Sequence, residues 1–179
     1  MRPAILTAFL LGLLGLFGLQ GCGWRAGVVA PEGFDTVGVE VVTRTRDVLE
    51  RGLEPRLTDE LSQAVSDLVG MRLVRPGAAD LVVRGEITEY RRRGGVRSGN
   101  NVLLESAVRI TVRAELLDRK AGVVVRPASS YVWSGYAVDD PVGEQIARDR
   151  ALQYIAETLI LELFQTTGSK DENPASTGE

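Results

Sequence analysis

The chain has 179 residues, 44% of them hydrophobic and 25% charged, which is the composition of a globular protein rather than a disordered one, with one domain as the expected count. Its 21 basic and 24 acidic side chains leave a formal charge of -3, which argues against an electrostatic grip on nucleic acid. The absence of His removes the commonest general base, the Ser-His and Cys-His pairs and every His-ligated metal site. A single Cys excludes both an intrachain disulfide and a thiolate metal cage, so neither catalysis nor a metal is expected.

Residues 1–21 read as a signal peptide: Arg2 gives a short basic start, and an uncharged run rich in Leu and Phe follows. The run is shorter than the roughly 20 apolar residues a membrane helix needs. It ends in Leu19-Gln20-Gly21-Cys22, which resembles the lipobox of bacterial lipoproteins. By that resemblance a peptidase cuts before Cys22, whose thiol carries a diacylglyceryl group and whose new amine carries a further acyl chain. No other cofactor is expected. Two or more acyl chains give a lasting anchor where one is marginal. Gly23, not Asp, follows the cysteine, which by resemblance to lipoprotein sorting implies the outer membrane, with the folded part facing the periplasm.

Residues 22–34 lack apolar periodicity and read as a lipidated tether. Val-rich residues 36–42 are the first strand, opening a domain expected over residues 35–165. In residues 54–69 the period changes, with Leu57, Leu61, Val65 and Leu68 spaced by four and three, the stripe of an amphipathic helix with Pro55 in its first turn. A short strand is expected at 71–74 and a longer one at 79–91, where Val83, Gly85 and Ile87 oppose Arg84, Glu86 and Thr88. Tyr90 falls on the polar parity, which points to a bulge or to the strand leaving the sheet. Residues 91–100 read as a turn or mobile loop.

The clearest strand spans 102–118, with Val108, Ile110, Val112, Ala114 and Leu116 facing one way and Arg109, Thr111, Arg113 and Glu115 the other. After a turn at 118–122 the last strand returns over 123–137, and Pro127 places it at an edge or a bulge. Asp140-Pro141 starts a helix running to about residue 164, with Ala147, Ala151, Ile155 and Leu159 inward. Residues 166–179 read as a disordered tail. The order β-α-β-β-β-β-α predicts an α/β (α+β) two-layer sandwich: a mainly antiparallel or mixed sheet of about four to five strands with both helices on one face.

Four features in this order resemble the lipopolysaccharide-assembly lipoproteins, the LptE-like family. They are Gly21-Cys22-Gly23-Trp24, the segment Ala79-Asp80-Leu81-Val82-Val83-Arg84-Gly85-Glu86-Ile87, a long alternating strand ending in Leu117-Asp118, and Asp139-Asp140-Pro141 before a final helix. The resemblance implies a non-catalytic plug inside an LptD-like outer-membrane β-barrel, one that helps the barrel assemble and binds lipopolysaccharide. It also implies a two-helix sandwich over about four strands. Arg97-Ser98-Gly99 resembles the Arg-Asn-Gly of other members and makes Arg97 the carried-over binding candidate. The second basic position of the family falls on Ser129, Ser130 and Tyr131, with Arg126 offset.

The residues themselves support that loop. Nineteen of the 21 basic side chains are Arg, and seven of those lie between Met71 and Asn100 against Asp80, Glu86 and Glu89. Guanidinium forks favour phosphate and carboxylate. Arg91, Arg92, Arg93 and Arg97 are therefore the candidates for contact with lipopolysaccharide or a barrel wall, and a solvated Arg loop is the plain alternative. Tyr90, Tyr131, Trp133 and Tyr136 read as cross-strand packing, and Arg109 and Arg113 as surface or a partner contact. A second function from another class remains open: an outer-membrane lipoprotein that activates a periplasmic machine such as a peptidoglycan synthase.

Overall fold

Short Val-rich segments and three long alternating ones assemble into a 6-stranded sheet. The computed structural model describes Val28 and residues 31–165; the expected signal peptide over residues 1–21, Cys22, Trp24 and the expected tail over residues 166–179 lie outside the described residues. In chain order the elements are β1 (Thr36–Val39), β2 (Thr43–Arg44), α1 (Leu53–Leu68), β3 (Arg72–Leu73), a 3-10 turn (Pro76–Ala78), β4 (Leu81–Gly94), β5 (Glu105–Asp118), β6 (Val123–Ala137) and α2 (Gly143–Phe164). The strands lie in the order β3-β1-β4-β5-β6, with β2 also on β4. β1 and β2 run parallel to β4, while β4, β5 and β6 are antiparallel. This is the expected two-layer sandwich with a mixed sheet.

Four boundaries depart from the sequence reading, each for a local reason. The first strand breaks after Val39 because β1 and β2 spend one residue more than β4 between the pairs Val39↔Val83 and Thr43↔Glu86. The surplus turns Val41 outward and Val42 into the core, where the Val42 N–H donates to Thr58 Oγ1 at 3.0 Å. β4 runs on to Gly94, so Arg91, Arg92 and Arg93 belong to a strand and not to a loop. The ladder continues past the strands through Gly95 and the bridge Arg97↔Leu103 to a tight turn at Ser98–Asn101. β5 accordingly starts at Glu105 rather than at residue 102. Asp140 Oδ1 accepts the Val142 N–H at 3.0 Å in a turn ahead of the helix, so α2 starts at Gly143.

Of the two readings that the parity of Tyr90 allowed, β4 shows the bulge and stays in the sheet: pairing with β5 shifts between Ile87 and Glu89. Thr88 is the extra residue, and beyond it the parity reverses, so Tyr90 and Arg92 join Ile87 on the helix side while Glu89, Arg91 and Arg93 take the other. β6 is an edge strand and also bulged, with the shift falling between Val124 and Arg126, beside Pro127.

The core lies between the helices and one face of the sheet. Leu57, Leu61 and Val65 of α1 and Ala147, Ala151, Ile155 and Leu159 of α2 are buried against Val83, Ile87, Ile110, Val112 and Leu116. α2 also buries Leu152, Ala156 and Ile160, a second stripe toward α1. On the far side of β1 the 3-10 turn comes close: a Cβ at Gly38 would stand 2.7 Å from Pro76 Cα. Val28 donates to the Leu68 carbonyl at 3.0 Å, docking part of the segment that precedes the first strand.

Candidate functional site

The reversal at Thr88 divides the arginine run between two environments. Arg92 points toward the helices, where its Nη2 lies 2.9 Å from Glu50 Oε2 and its Nε donates to Glu144 Oε1 at 2.8 Å. Its guanidinium also stacks on Tyr90, 5.2 Å from the ring centroid. Glu144 collects two phenols as well, from Tyr90 at 2.8 Å and Tyr136 at 3.2 Å, and Arg148 donates to Glu50. Burial pushes the Glu144 carboxyl up, but the hydrogen bonds from Tyr90, Arg92 and Tyr136 more than offset it and hold it below the usual carboxylate range. Burial and the bond to that carboxylate push the Tyr90 phenol up from its ordinary value. This network joins β4, β6, the segment before α1 and the start of α2.

Arg91 and Arg93 point to the open face. Arg91 pairs with Glu89, and the other oxygen of Glu89 accepts Thr111 Oγ1 at 3.0 Å and lies 3.4 Å from Arg109 Nε. Arg109 is framed by two aromatic rings of β6, with Tyr131 at 4.8 Å and Trp133 at 5.7 Å. Those rings are 60% and 42% exposed, so the frame faces outward. The adjoining row places Arg93 opposite Ala107 and Gly135. Added atoms at Gly135 would meet only the Ser106 carbonyl oxygen, at 3.8 Å. The open face here carries Arg91, Arg93 and Arg109 beside Tyr131 and Trp133, an arginine–aromatic floor.

Arg97 lies beyond this floor, where its Nη1 donates to the Asn101 carbonyl at 3.0 Å and steadies the turn. Around it Val96, Val102 and Leu104 are exposed, and Val138 beside Leu104 is exposed too. Of the four sequence candidates, the structure therefore brings Arg91 and Arg93 to one face, places Arg97 at the hairpin tip of the same end, and turns Arg92 to the other face.

Sequence reasoning grouped four aromatics as packing, and the structure splits them. Tyr90 and Tyr136 serve Glu144, while Tyr131 and Trp133 frame Arg109. The signal was in the hairpin: antiparallel return through residues 118–123 sets Arg109 opposite Trp133, a register countable from the turn once the bulge at Val125 is known. No group of acidic or Cys side chains among the described residues could hold a metal ion.

A model of the lipopolysaccharide-assembly family, LptE, matches residues 34–167. The chain belongs to that family. The match covers every element of the LptE sandwich, both helices and all strands. Among solved structures this LptE-family chain is similar to protein XCC0632 from Xanthomonas campestris, at 15% identity over 76% of this chain and 89% of that one, with a TM-score of 0.56. It is also similar to a PelC variant dodecamer from Paraburkholderia phytofirmans, at 15% identity over 79% and 96% of the two chains, with a TM-score of 0.50. These likenesses concern the fold. No curated protein matches the chain.

Proposed function

We propose that this chain is a non-catalytic outer-membrane lipoprotein of the lipopolysaccharide translocon. Cys22, acylated, anchors it on the periplasmic side. Its folded part assembles with and plugs an LptD-like β-barrel and contacts lipopolysaccharide on the way to the outer leaflet.

The observation that carries the binding reading is the exposed arginine–aromatic floor of Arg91, Arg93 and Arg109 with Tyr131 and Trp133. Guanidinium forks take phosphate through charge-assisted hydrogen bonds, and aromatic faces offer apolar area for the rest of an amphipathic lipid. Arg97 extends the basic surface to the hairpin tip, where exposed Val96, Val102 and Leu104 suit acyl chains or a barrel wall. Arg92, holding Glu50 and Glu144, supports the floor from behind.

The test is lipopolysaccharide capture by the lipidated chain carrying Arg91, Arg93 and Arg97 all changed to Glu. Capture is expected to fall at least tenfold, since each lost charge-assisted contact is worth about 1.5–3 kcal/mol. Undiminished capture by a folded triple variant would remove these arginines from the reading. Co-purification of the unaltered chain with a barrel in near-equal amounts tests the plug assignment separately.

A further inference from the structure

The two edges of the sheet are guarded very differently. On one side β3 offers only Arg72 and Leu73 before Pro76 ends the run. On the other, β6 extends for 15 residues, and among the described residues nothing pairs with its outer side. An edge strand turns every second N–H and C=O outward, and proteins usually blunt such an edge with charge, Pro or a bulge. In β6 those devices, Arg126, Pro127 and the bulge at Val125, all sit at the N-terminal end. From Ala128 through Val138 there is no charged residue and no Pro.

We infer that two copies of this chain pair through their β6 edges, antiparallel about Val132, to form one continuous sheet. A two-fold contact sets each residue near its own copy, so a charge close to the axis meets its like. This edge has no charge to meet. In that register Val132 faces itself, Ser130 faces Ser134, and Tyr131 faces Trp133 of the second copy, which gives two aromatic pairs on the open face. Both rings are exposed in the single chain.

The helix layer leaves an apolar stripe beside the same edge. α2 runs antiparallel over β6, because Arg126 reaches the Glu162 carbonyl at one end and Tyr136 reaches Glu144 at the other. Val132 therefore lies near the level of Ala151. Tyr154 and Leu161, 55% and 39% exposed, are seven residues apart and share one stripe. Tyr154 lies about 140° round the helix from Asp149, which pairs with Arg56 of α1 at 3.4 Å. The stripe thus faces away from α1, along the β6 side.

Such a dimer depends neither on the barrel nor on lipopolysaccharide, so its failure leaves the proposed function standing. The experiment uses the full chain expressed without its partner, with Val132→Cys at the axis. The unaltered chain, whose only cysteine is Cys22, sets the background. A disulfide-linked species of twice the chain mass is expected, reduced to background when Tyr131→Glu and Trp133→Glu are added, since these place carboxylates directly opposite one another. Leu73→Cys on the far edge should give no such species. Sedimentation of the lipoprotein without added cysteine should give two copies for the unaltered chain and one for the double Glu variant. A monomer for the unaltered chain overturns the inference. So does cross-linking that survives the double Glu change, occurs equally through Leu73→Cys, or joins Val132→Cys to a different protein.

Discussion

Thr36 and Asp80 bond each other in both directions across β1 and β4: the Thr36 hydroxyl donates to Asp80 Oδ2 at 2.7 Å, and the Asp80 N–H donates to Thr36 Oγ1 at 2.9 Å. Lys120, from the β5–β6 turn, stands 2.9 Å from the other carboxylate oxygen. The Thr36 hydroxyl first, then Lys120, hold the Asp80 carboxyl well below its ordinary 3.8. A carboxylate with a lowered folded-state pKa stabilises the fold above the unfolded value and loses that contribution as pH falls toward the folded one. Stability should therefore drop from about pH 3.8 downward, and Asp80→Asn should flatten that part of the profile while lowering the melting temperature at pH 7. Thermal unfolding between pH 2 and 7 checks both; an unchanged acid profile in the variant would show that the clamp contributes nothing.

Glu144 gathers Tyr90, Arg92 and Tyr136. Changing Glu144 to Ala strands two phenols and leaves Arg92 with Glu50 alone, which should cost about 1–3 kcal/mol. Arg91→Ala and Arg93→Ala, on the open face, should stay within about 0.5 kcal/mol of the unaltered chain. Denaturant midpoints of the three variants measure the contrast, and equal midpoints would deny the division of the arginine run.

Gly38→Ala should destabilise by about 1–3 kcal/mol, the usual cost of forcing atoms into a filled site. The new methyl group would stand 2.7 Å from the Pro76 backbone, which is no flexible side chain that could swing aside. Gly77→Ala, with nothing within 4 Å of its added atom, is the matched comparison in the same denaturant titration.

Trp133→Ala removes one wall of the frame around Arg109 while leaving the core intact, since the ring is 42% exposed. If the floor binds lipopolysaccharide, capture should fall about three- to tenfold, on the scale of about 1 kcal/mol for an arginine–aromatic contact. A binding isotherm with the purified lipoprotein reads this directly. Unchanged affinity would confine the binding contribution to Arg91, Arg93 and Arg97.

The sandwich was legible in the sequence because its signals are local. Leu57, Leu61 and Val65 repeat at helical spacing, and Val108 through Leu116 alternate at the strand period, so each element declares which face it buries before any partner is known. Pro127 announced an edge or a bulge through its missing donor, and Tyr90 on the wrong parity announced a bulge or an exit from the sheet.

What the sequence alone determined was the two helices and three long strands, their order, the absence of His and the single Cys22, all fixed by composition and short-range periodicity. Tertiary structure decided which arginines share a surface. One surplus residue, Thr88, rotates everything after it by one strand face, and that sends Arg92 to Glu144 while Arg91 and Arg93 join Arg109. Arg109, Tyr131 and Trp133 meet only because β5 and β6 pair in one register, and a slip of a single residue would place them on opposite sides of the sheet.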